Sequence, residues 1–249
     1  MKSRLDKLLV ERGLALSRER AQALILAGKV LVNEQKIAKS GASVDQDCDL
    51  RLLGEDLKYV SRGGVKLEKA LDHWHIDVAG LTCLDVGAST GGFTDCLLQH
   101  GAAYVIAIDT GYGQLDFGLR QDPRVRLLEK TNARYLIREA LDQIVDFICM
   151  DVSFVSATLV LPAVLNSAFP EEQTARSGRR LVVLVKPQFE AGRSEVGKGG
   201  IVRDEAAQLA ALEKVKQYVL QLGAKHIDSI DSPILGTEGN REFLLYAKF

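Results

Sequence analysis

From Lys66 to its last residue the chain alternates between short apolar runs and helical patterns, and this alternation limits its fold more than any other feature. Parallel strands need crossover connections, which are usually helices, so the alternation predicts a mostly parallel, doubly wound α/β sheet. Two extended segments near the end, Ala224–Asp231 and Phe243–Lys248, add an antiparallel edge strand to this prediction. The other predicted strands are Thr82–Val86, Tyr104–Asp109, Val125–Leu128, Ile144–Met150 and Leu181–Val185.

The composition is that of a globular protein with a sizeable core. Of the 249 residues, 47% are hydrophobic and 26% are charged, which excludes a disordered or collagen-like chain. The four cysteines form no C-x-x-C pair, so we expect a cytoplasmic protein without disulfides. We expect no metal site, because His73 and His75 have too few further ligands nearby. We expect no membrane segment either, because the longest uncharged stretch contains polar residues and Pro162.

The net charge of the chain hides an uneven distribution. Lys and Arg number 32 against 33 Asp and Glu, and this net charge of −1 by itself argues against a nucleic-acid partner. The first forty residues, however, hold nine basic and four acidic side chains and carry +5, whereas the remainder carries −6. A basic segment joined to a mildly acidic body favours a polyanion-binding module attached to a second domain.

The basic segment has the pattern of a small α-α-β unit. Leu5 and Leu8 have helical spacing in the first helix. Ser17 is a suitable N-cap for a second helix, and Gly28 is a suitable stop before an extended run. The stretch from Ser17 to Asn33, S-R-x-x-A-x-x-L-I-x-x-G-x-V-x-V-N, resembles the S4-type RNA-binding domain.

The S4 resemblance implies that the chain has two domains. Residues 1–60 would form the S4-like domain and most of a polar linker that spans residues 54–62, and residues 61–249 would form the α/β domain. Basic side chains of an S4 domain would contact RNA phosphates, which position a protein without reading the base sequence. The residues predicted to bind RNA are Arg4, Arg18, Arg20, Lys29, Lys36 and Arg62.

A glycine-rich stretch, D-x-G-x-x-x-G-G-F, follows the strand Thr82–Val86 and opens a helix. Open α/β sheets bind ligands at the carboxyl ends of their strands, where glycines allow close approach to the backbone. The stretch departs from the G-x-G-x-x-G pattern of dinucleotide-binding enzymes and resembles the S-adenosylmethionine loop of class I methyltransferases. Asp109, which ends the next strand, is predicted to bind the ribose hydroxyls of that cofactor. The other predicted cofactor-binding residues are Asp85, Gly87, Ser89, Thr90, Gly91, Gly92 and Phe93.

Four charged residues are predicted to surround the same edge of the sheet. Lys66 lies on the helix that leads into the sheet, and Glu242 opens the last strand. Asp151 and Lys186 stand directly after buried strands. Their order resembles the Lys-Asp-Lys-Glu tetrad of the FtsJ-like RNA 2′-O-ribose methyltransferases. With the S4 unit and the motifs S-R-G-G-x-K-L and V-K-P-Q-F-E, the chain is identified as a member of the TlyA family, often labelled hemolysin, whose members methylate ribosomal RNA.

The tetrad resemblance implies a different role for each of these side chains. A ribose 2′-OH is a poor nucleophile, so its attack on a sulfonium methyl group needs a base or strong polarisation. We expect Lys186 to orient and deprotonate the hydroxyl and Lys66 to hold the ribose or an adjacent phosphate. Asp151 and Glu242 would align the two lysines.

Three other functions remain open from the sequence. Asp151-x-x-Phe154 is similar to the D-P-P-Y/F motif of amino-methyltransferases acting on bases, although Val152 and Ser153 replace the prolines. The hemolysin label suggests a membrane-active protein, which the lack of a spanning or strongly amphipathic segment disfavours. A non-catalytic RNA-binding assembly factor is the third alternative.

The substrate is predicted only in outline. The family resemblance implies cytidines in ribosomal RNA, either naked or within a ribosomal subunit. The S4 pattern begins at Arg4 and the last strand ends beside Phe249, without the terminal extensions that accompany a small-subunit target in some relatives. We therefore expect a large-subunit RNA target, no membrane partner and a monomer.

Overall fold

The chain divides into two compact units, Met1–Leu57 and Lys58–Phe249. The structure is a computed structural model that describes residues 2–15, 17–53, 58–170, 178–236 and 239–249. Residues 54–57 of the predicted linker lie outside the described residues.

The N-terminal unit combines two helices with two small antiparallel sheets. One sheet pairs β1 with β4, and the other has the order β3-β2-β5. Ser17 caps the second helix as predicted, since its hydroxyl accepts a hydrogen bond from Arg20 N at 3.2 Å. The elements are β1 (Lys2–Arg4), α1 (Leu5–Glu11), α2 (Arg18–Leu26), β2 (Val30–Val32), β3 (Gln35–Lys36), β4 (Ser43–Asp45) and β5 (Leu50–Leu52).

The core of the N-terminal unit forms where the apolar faces of both helices meet β2. Leu5 and Leu9 of α1 pack with Ile25 of α2, and all three are fully buried. The chain then reverses at Asn33 and Glu34, whose φ angles of 49° and 65° form a tight two-residue hairpin turn between β2 and β3.

The C-terminal unit contains a seven-stranded sheet of the order β8-β7-β6-β9-β10-β12-β11. β12 runs antiparallel to both of its neighbours, β10 and β11, and the other neighbouring strands of the sheet pair in parallel. The elements are α3 (Gly63–His73), β6 (Thr82–Val86), α4 (Gly92–Gln99), β7 (Tyr104–Ile108), α5 (Phe117–Gln121), β8 (Val125–Leu128), β9 (Phe147–Met150), α6 (Ala157–Ala168), β10 (Arg180–Val185), α7 (Pro187–Glu190), α8 (Glu205–Gln221), β11 (His226–Asp231) and β12 (Phe243–Lys248).

The strand order creates a natural binding position between β6 and β9. The chain leaves β6 towards β7 and β8 and then crosses back to β9 on the other side of β6. Loops that follow neighbouring strands diverge at such a switch point and leave a crevice at their carboxyl ends. The glycine-rich loop and Asp151 therefore flank the same crevice.

One detail of the sheet differs from the prediction. The antiparallel strand β12 is not at the edge, because it lies between β10 and β11. Its first five residues are all buried, so they require packing on both faces and a strand on each side. The residues of β11 alternate between exposed and half-buried, which suits the strand that forms the edge.

Apolar clusters cover both faces of the sheet. Leu84, Ile106 and Val183 belong to the cluster on one face, and Cys83 and Val105 belong to the cluster on the other. Within the described ranges, no helix combines the length and apolarity needed to cross a membrane.

Candidate active site

Four charged side chains meet in one cleft at the carboxyl edge of the sheet. The cleft has a volume of about 270 Å³ and lies beside the switch point. The structure thus brings together residues that are up to 176 positions apart in the sequence. Its walls include Lys66, Asp151, Lys186 and Glu242, and also Arg62, Gly87, Ser89, Thr90, Gly92 and Phe93 of the other predicted residues.

The four charges form two lysine–carboxylate pairs. Lys66 Nζ donates to Glu242 Oε2 at 2.5 Å, and Lys186 Nζ lies 2.5 Å from Asp151 Oδ1. The side chains of both lysines are only 11% exposed. Buried charges are usually paired, because an unpaired charge away from water is costly. The pairing therefore allows two amines to lie at the cleft without an unbalanced charge.

Two glycines allow the walls of the cleft to approach each other. At Gly87, where φ is +90°, an added Cβ would lie 2.3 Å from the carbonyl oxygen of Asp151. At Gly236 an added Cβ would lie 2.1 Å from Glu242 Oε1. A side chain at Gly87 would collide with the backbone of Asp151, and one at Gly236 would collide with the Glu242 carboxylate. At Gly87 the positive φ favours glycine as well.

A second cleft of about 290 Å³ adjoins the first, with Gly87, Ser89, Asp151 and Ser153 contributing to both. Asp109 lies in its wall, and its carboxylate accepts hydrogen bonds from Ser89 N at 2.8 Å and from Gly111 N at 2.6 Å. Each carboxylate oxygen has further lone pairs, so these bonds orient Asp109 and still leave acceptors for ribose hydroxyls.

Two predicted cofactor-binding residues line neither cleft. Asp85 is fully buried in β6, where Thr94 Oγ1 donates to its Oδ2 at 2.7 Å. Its other oxygen has no hydrogen-bond partner among the described residues, and burial raises the pKa of the carboxyl to about 7. Gly91 adopts a left-handed conformation next to Leu115 and Leu119.

Two of the predicted RNA-binding arginines, Arg4 and Arg18, contact a buried carboxylate. Asp6 has no exposed surface and accepts hydrogen bonds from Arg4 at 2.8 and 3.0 Å, from Arg18 at 3.1 Å and from Gln22 at 2.9 Å. The Arg4 guanidinium in particular holds the pKa of Asp6 well below its usual range. The arginine side chains are 51% and 53% exposed, so both guanidinium groups remain accessible to an anion.

The remaining predicted RNA-binding residues have different environments. Lys36 is exposed, whereas Arg20 and Lys29 are half-buried. Arg62 is also exposed, but it belongs to the C-terminal unit and lies in the wall of the first cleft.

Two residues of the Asp151-x-x-Phe154 motif lie at the clefts but were not among the predicted site residues: Ser153 lines both clefts and Phe154 lines the second. Ser153 accepts a hydrogen bond from Lys186 Nζ at 2.7 Å. Phe154 follows it with a left-handed φ of 64°, and 92% of its side chain is exposed at the rim of the second cleft. Their position directly after Asp151, at the carboxyl end of a buried strand, was the available signal. Among the described residues no group of three or more metal-ligating side chains is present.

The two units match two known families. The FtsJ-like methyltransferase family matches residues 59–249, and the S4 domain matches residues 3–47. The YqxC protein of Bacillus subtilis is 46% identical over 98% of this chain and 85% of its own. TlyA of Mycobacterium tuberculosis, named a 16S/23S rRNA (cytidine-2′-O)-methyltransferase, is 43% identical over 99% of this chain and 90% of its own.

A solved structure supports the same assignment. A hemolysin-type protein from Streptococcus thermophilus has a TM-score of 0.73 and 42% identity, with coverage of 99% of this chain and 88% of that one. The predicted methyltransferase fold with an N-terminal S4 domain is therefore confirmed. The chain belongs to the FtsJ-like methyltransferases and, within them, to the TlyA family.

Proposed function

We propose that this methyltransferase transfers a methyl group from S-adenosylmethionine to the 2′-oxygen of a cytidine ribose in ribosomal RNA. One observation carries the proposal: two lysine–carboxylate pairs, whose lysine side chains are largely shielded from solvent, share a cleft that adjoins a second cleft lined by Asp109. The relative named TlyA acts on cytidine ribose in ribosomal RNA, which supports the same substrate class here.

The second cleft has the chemistry that S-adenosylmethionine requires. Asp109 offers carboxylate oxygens for ribose hydroxyls, and Ile108 and Val152 offer apolar surface for an adenine ring. Asp151 lies where the two clefts meet and would balance the positive sulfonium. When bound, S-adenosylmethionine supplies an electrophilic methyl group that is attached to sulfur.

The first cleft then explains how a ribose hydroxyl could react. Lys186 would orient the 2′-OH and accept its proton as the hydroxyl oxygen takes the methyl group. The cofactor would supply that methyl group, and its sulfur would keep the electron pair of the broken carbon–sulfur bond. Lys66, held by Glu242, binds the ribose or the neighbouring phosphate and keeps the hydroxyl near the methyl group.

The N-terminal unit would bring the ribosomal RNA to the enzyme. Arg4 and Arg18 present guanidinium groups that are fixed by Asp6, and guanidinium matches the geometry of phosphate. Contacts of this kind position the protein and carry little base specificity. The large-subunit RNA remains the expected target, with ribosomal RNA or a ribosomal subunit as the partner.

The two lysines also favour ribose over base methylation. An exocyclic amine of a base is activated by acceptors for its own protons, and that reaction gives no function to two lysines at the cleft. A ribose hydroxyl, in contrast, needs a base and a cation near its phosphate.

Methylation of purified ribosomal subunits tests the proposal. Each subunit is incubated with the protein and labelled S-adenosylmethionine, and the RNA is then hydrolysed with alkali. Label in alkali-resistant dinucleotides that contain cytidine is the expected result, since a methylated 2′-oxygen blocks cleavage. Label only in mononucleotides would show base methylation, and no label with either subunit or with naked RNA would contradict the proposal.

A further inference from the structure

Lys186 has two polar partners on the loop that follows β9. Its Nζ lies 2.5 Å from Asp151 Oδ1 and donates to Ser153 Oγ at 2.7 Å. The contact with Asp151 Oδ1 is an ion pair without hydrogen-bond geometry, whereas the contact with Ser153 is a hydrogen bond. Both partners therefore serve the same amine, and both lie where the two clefts meet.

These two contacts determine where the lone pair of the amine can point. A lysine nitrogen has one bond to carbon and three further tetrahedral positions. Ser153 accepts a hydrogen bond from one of them, and the Asp151 carboxylate lies beside another. In the neutral amine that the proposed function requires, the two N–H bonds would turn towards these two oxygens. The third position would hold the lone pair. The lone pair would then point in one direction, from which it could accept the proton of a substrate hydroxyl.

The surrounding contacts hold Ser153 in this place. The Phe154 ring packs against the ring of Phe189, three residues after Lys186, with a centroid distance of 5.4 Å. Further along, the carboxylate of Glu190 accepts hydrogen bonds from Ser156 Oγ at 2.5 Å and from Ala157 N at 2.6 Å. These contacts connect the loop after β9 to the segment after β10, through residues that follow Ser153 in the chain.

The backbone itself supports this arrangement. Phe154 adopts a left-handed φ of 64°, which is costly for a residue with a large side chain and is maintained only where neighbouring contacts require it. The resulting turn keeps Ser153 beside Lys186 and starts α6 three residues later.

We propose that Ser153 is a positioning residue for Lys186, which directs the lone pair of the neutral amine towards the 2′-OH. This inference rests on the function proposed above. In the step that Ser153 assists, the hydroxyl proton moves to Lys186 Nζ, the oxygen–carbon bond to the methyl group forms and the carbon–sulfur bond breaks. Ser153 keeps its own proton throughout.

A serine series in the full-length protein tests the proposal. Ser153→Ala removes the acceptor, so the lone pair is shared between two positions, and we expect kcat for RNA methylation to fall about 10-fold. The Kd for S-adenosylmethionine, measured by calorimetry, and the KM for RNA should stay within about 2-fold of wild type. Ser153→Thr keeps the hydroxyl, and its extra methyl group faces solvent because Ser153 is exposed, so it should restore most of kcat.

Ser229→Ala, on the edge strand β11 and outside both clefts, is the matched control and should keep the wild-type kcat. An unchanged kcat for Ser153→Ala would overturn the positioning function. A loss of cofactor affinity at constant kcat would also overturn it, because Ser153 would then act as a cofactor contact. Absence of methylation by the wild-type protein would instead contradict the proposed function itself.

Discussion

The two units of the protein both pair cations with carboxylates, but they leave those cations in different environments. In the N-terminal unit, Arg4 and Arg18 share the buried Asp6 and keep about half of their side-chain surface exposed. In the cleft of the C-terminal unit, Lys66 and Lys186 each have one carboxylate and are 11% exposed.

The difference follows the chemistry of the two side chains. Arginine keeps its charge at any accessible pH and matches phosphate geometry, so an exposed, fixed guanidinium suits binding to a polyanion. Lysine can give up and accept a proton, so a shielded amine in a cleft that can admit a ribose hydroxyl suits proton transfer. In the proposed function, the same pairing of opposite charges would serve recognition in one unit and chemistry in the other.

Replacing the shielded amine by a guanidinium should have the largest effect. Lys186→Arg keeps the positive charge but cannot accept a proton, so we expect the single-turnover methylation rate to fall by about 10²–10⁴-fold. Cofactor affinity, measured by calorimetry, should change little. Lys216→Arg on α8 is the control and should keep the wild-type rate. A Lys186→Arg rate within a few fold of wild type would show that a positive charge at this position is sufficient for methylation and that proton acceptance is not needed.

Removing the exposed guanidinium groups should weaken RNA binding and leave the chemistry intact. For the double variant Arg4→Ala and Arg18→Ala, we expect the slope of log Kd against log salt concentration to fall by about 2, since two phosphate contacts are lost. Binding titrations at several salt concentrations measure this slope. Arg51→Ala is the control, because Arg51 is similarly exposed but paired with the exposed Glu34. An unchanged slope in the double variant would exclude these arginines from the interface.

The carboxylate that fixes the arginines should stabilise the N-terminal unit. Asp6→Asn leaves two guanidinium groups without their charged partner and should lower the stability of α1 and α2 by about 1–3 kcal/mol at pH 7. Because the pKa of Asp6 is lowered in the folded state, its stabilisation is complete above the unfolded pKa of about 3.9 and is lost as the pH falls through the lower folded value. Hydrogen exchange of the α1 and α2 amides measures the stability of these helices in the wild-type and Asp6→Asn proteins. The stability difference between the two proteins should be smaller at pH 2 than at pH 7, and an equal difference at the two pH values would contradict the prediction.

The buried carboxyl of the C-terminal unit should show the opposite pH dependence. Burial raises the pKa of Asp85 to about 7, so its contribution to stability is complete below about pH 3.9 and is lost as the pH rises to about 7. Wild-type stability should therefore fall between pH 5 and pH 8, by roughly 1–3 kcal/mol. Asparagine does not titrate, so the stability of Asp85→Asn should fall less than that of the wild type between pH 5 and pH 8. Thermal unfolding of both proteins at the two pH values measures this difference. Equal decreases in both proteins would assign the pH dependence to other groups.

Long apolar runs made much of the C-terminal fold predictable. Thr82–Val86, Val125–Leu128 and Phe243–Lys248 form strands with the predicted bounds, because each is a compact apolar run bounded by polar or turn residues. The strands β1, β4 and β5 of the N-terminal unit were missed, since three residues are too few to show an alternating pattern. The position of β12 inside the sheet depends on pairing with β11, which local sequence does not encode.

The charged residues of the candidate site could be predicted from motifs, but the contacts among them could not. Lys66, Asp151, Lys186 and Glu242 could be named from motifs, but which lysine pairs with which carboxylate depends on how distant segments cross at the sheet edge. The signal for Ser153 was its position after the buried strand β9, and this signal is weak because a serine after a strand is common in loops of any function. Its contact with Lys186 is created by the turn at Phe154.

The most direct test of the account maps ribose methylation in the ribosomal RNA of cells that lack this gene and carry either the wild-type or the Lys186→Arg protein. The account predicts that a 2′-O-methylated cytidine, in the large-subunit RNA, returns with the wild-type protein and is absent with Lys186→Arg. Methylation restored equally by both proteins, or no ribose methylation in either ribosomal RNA that depends on this gene, would contradict it.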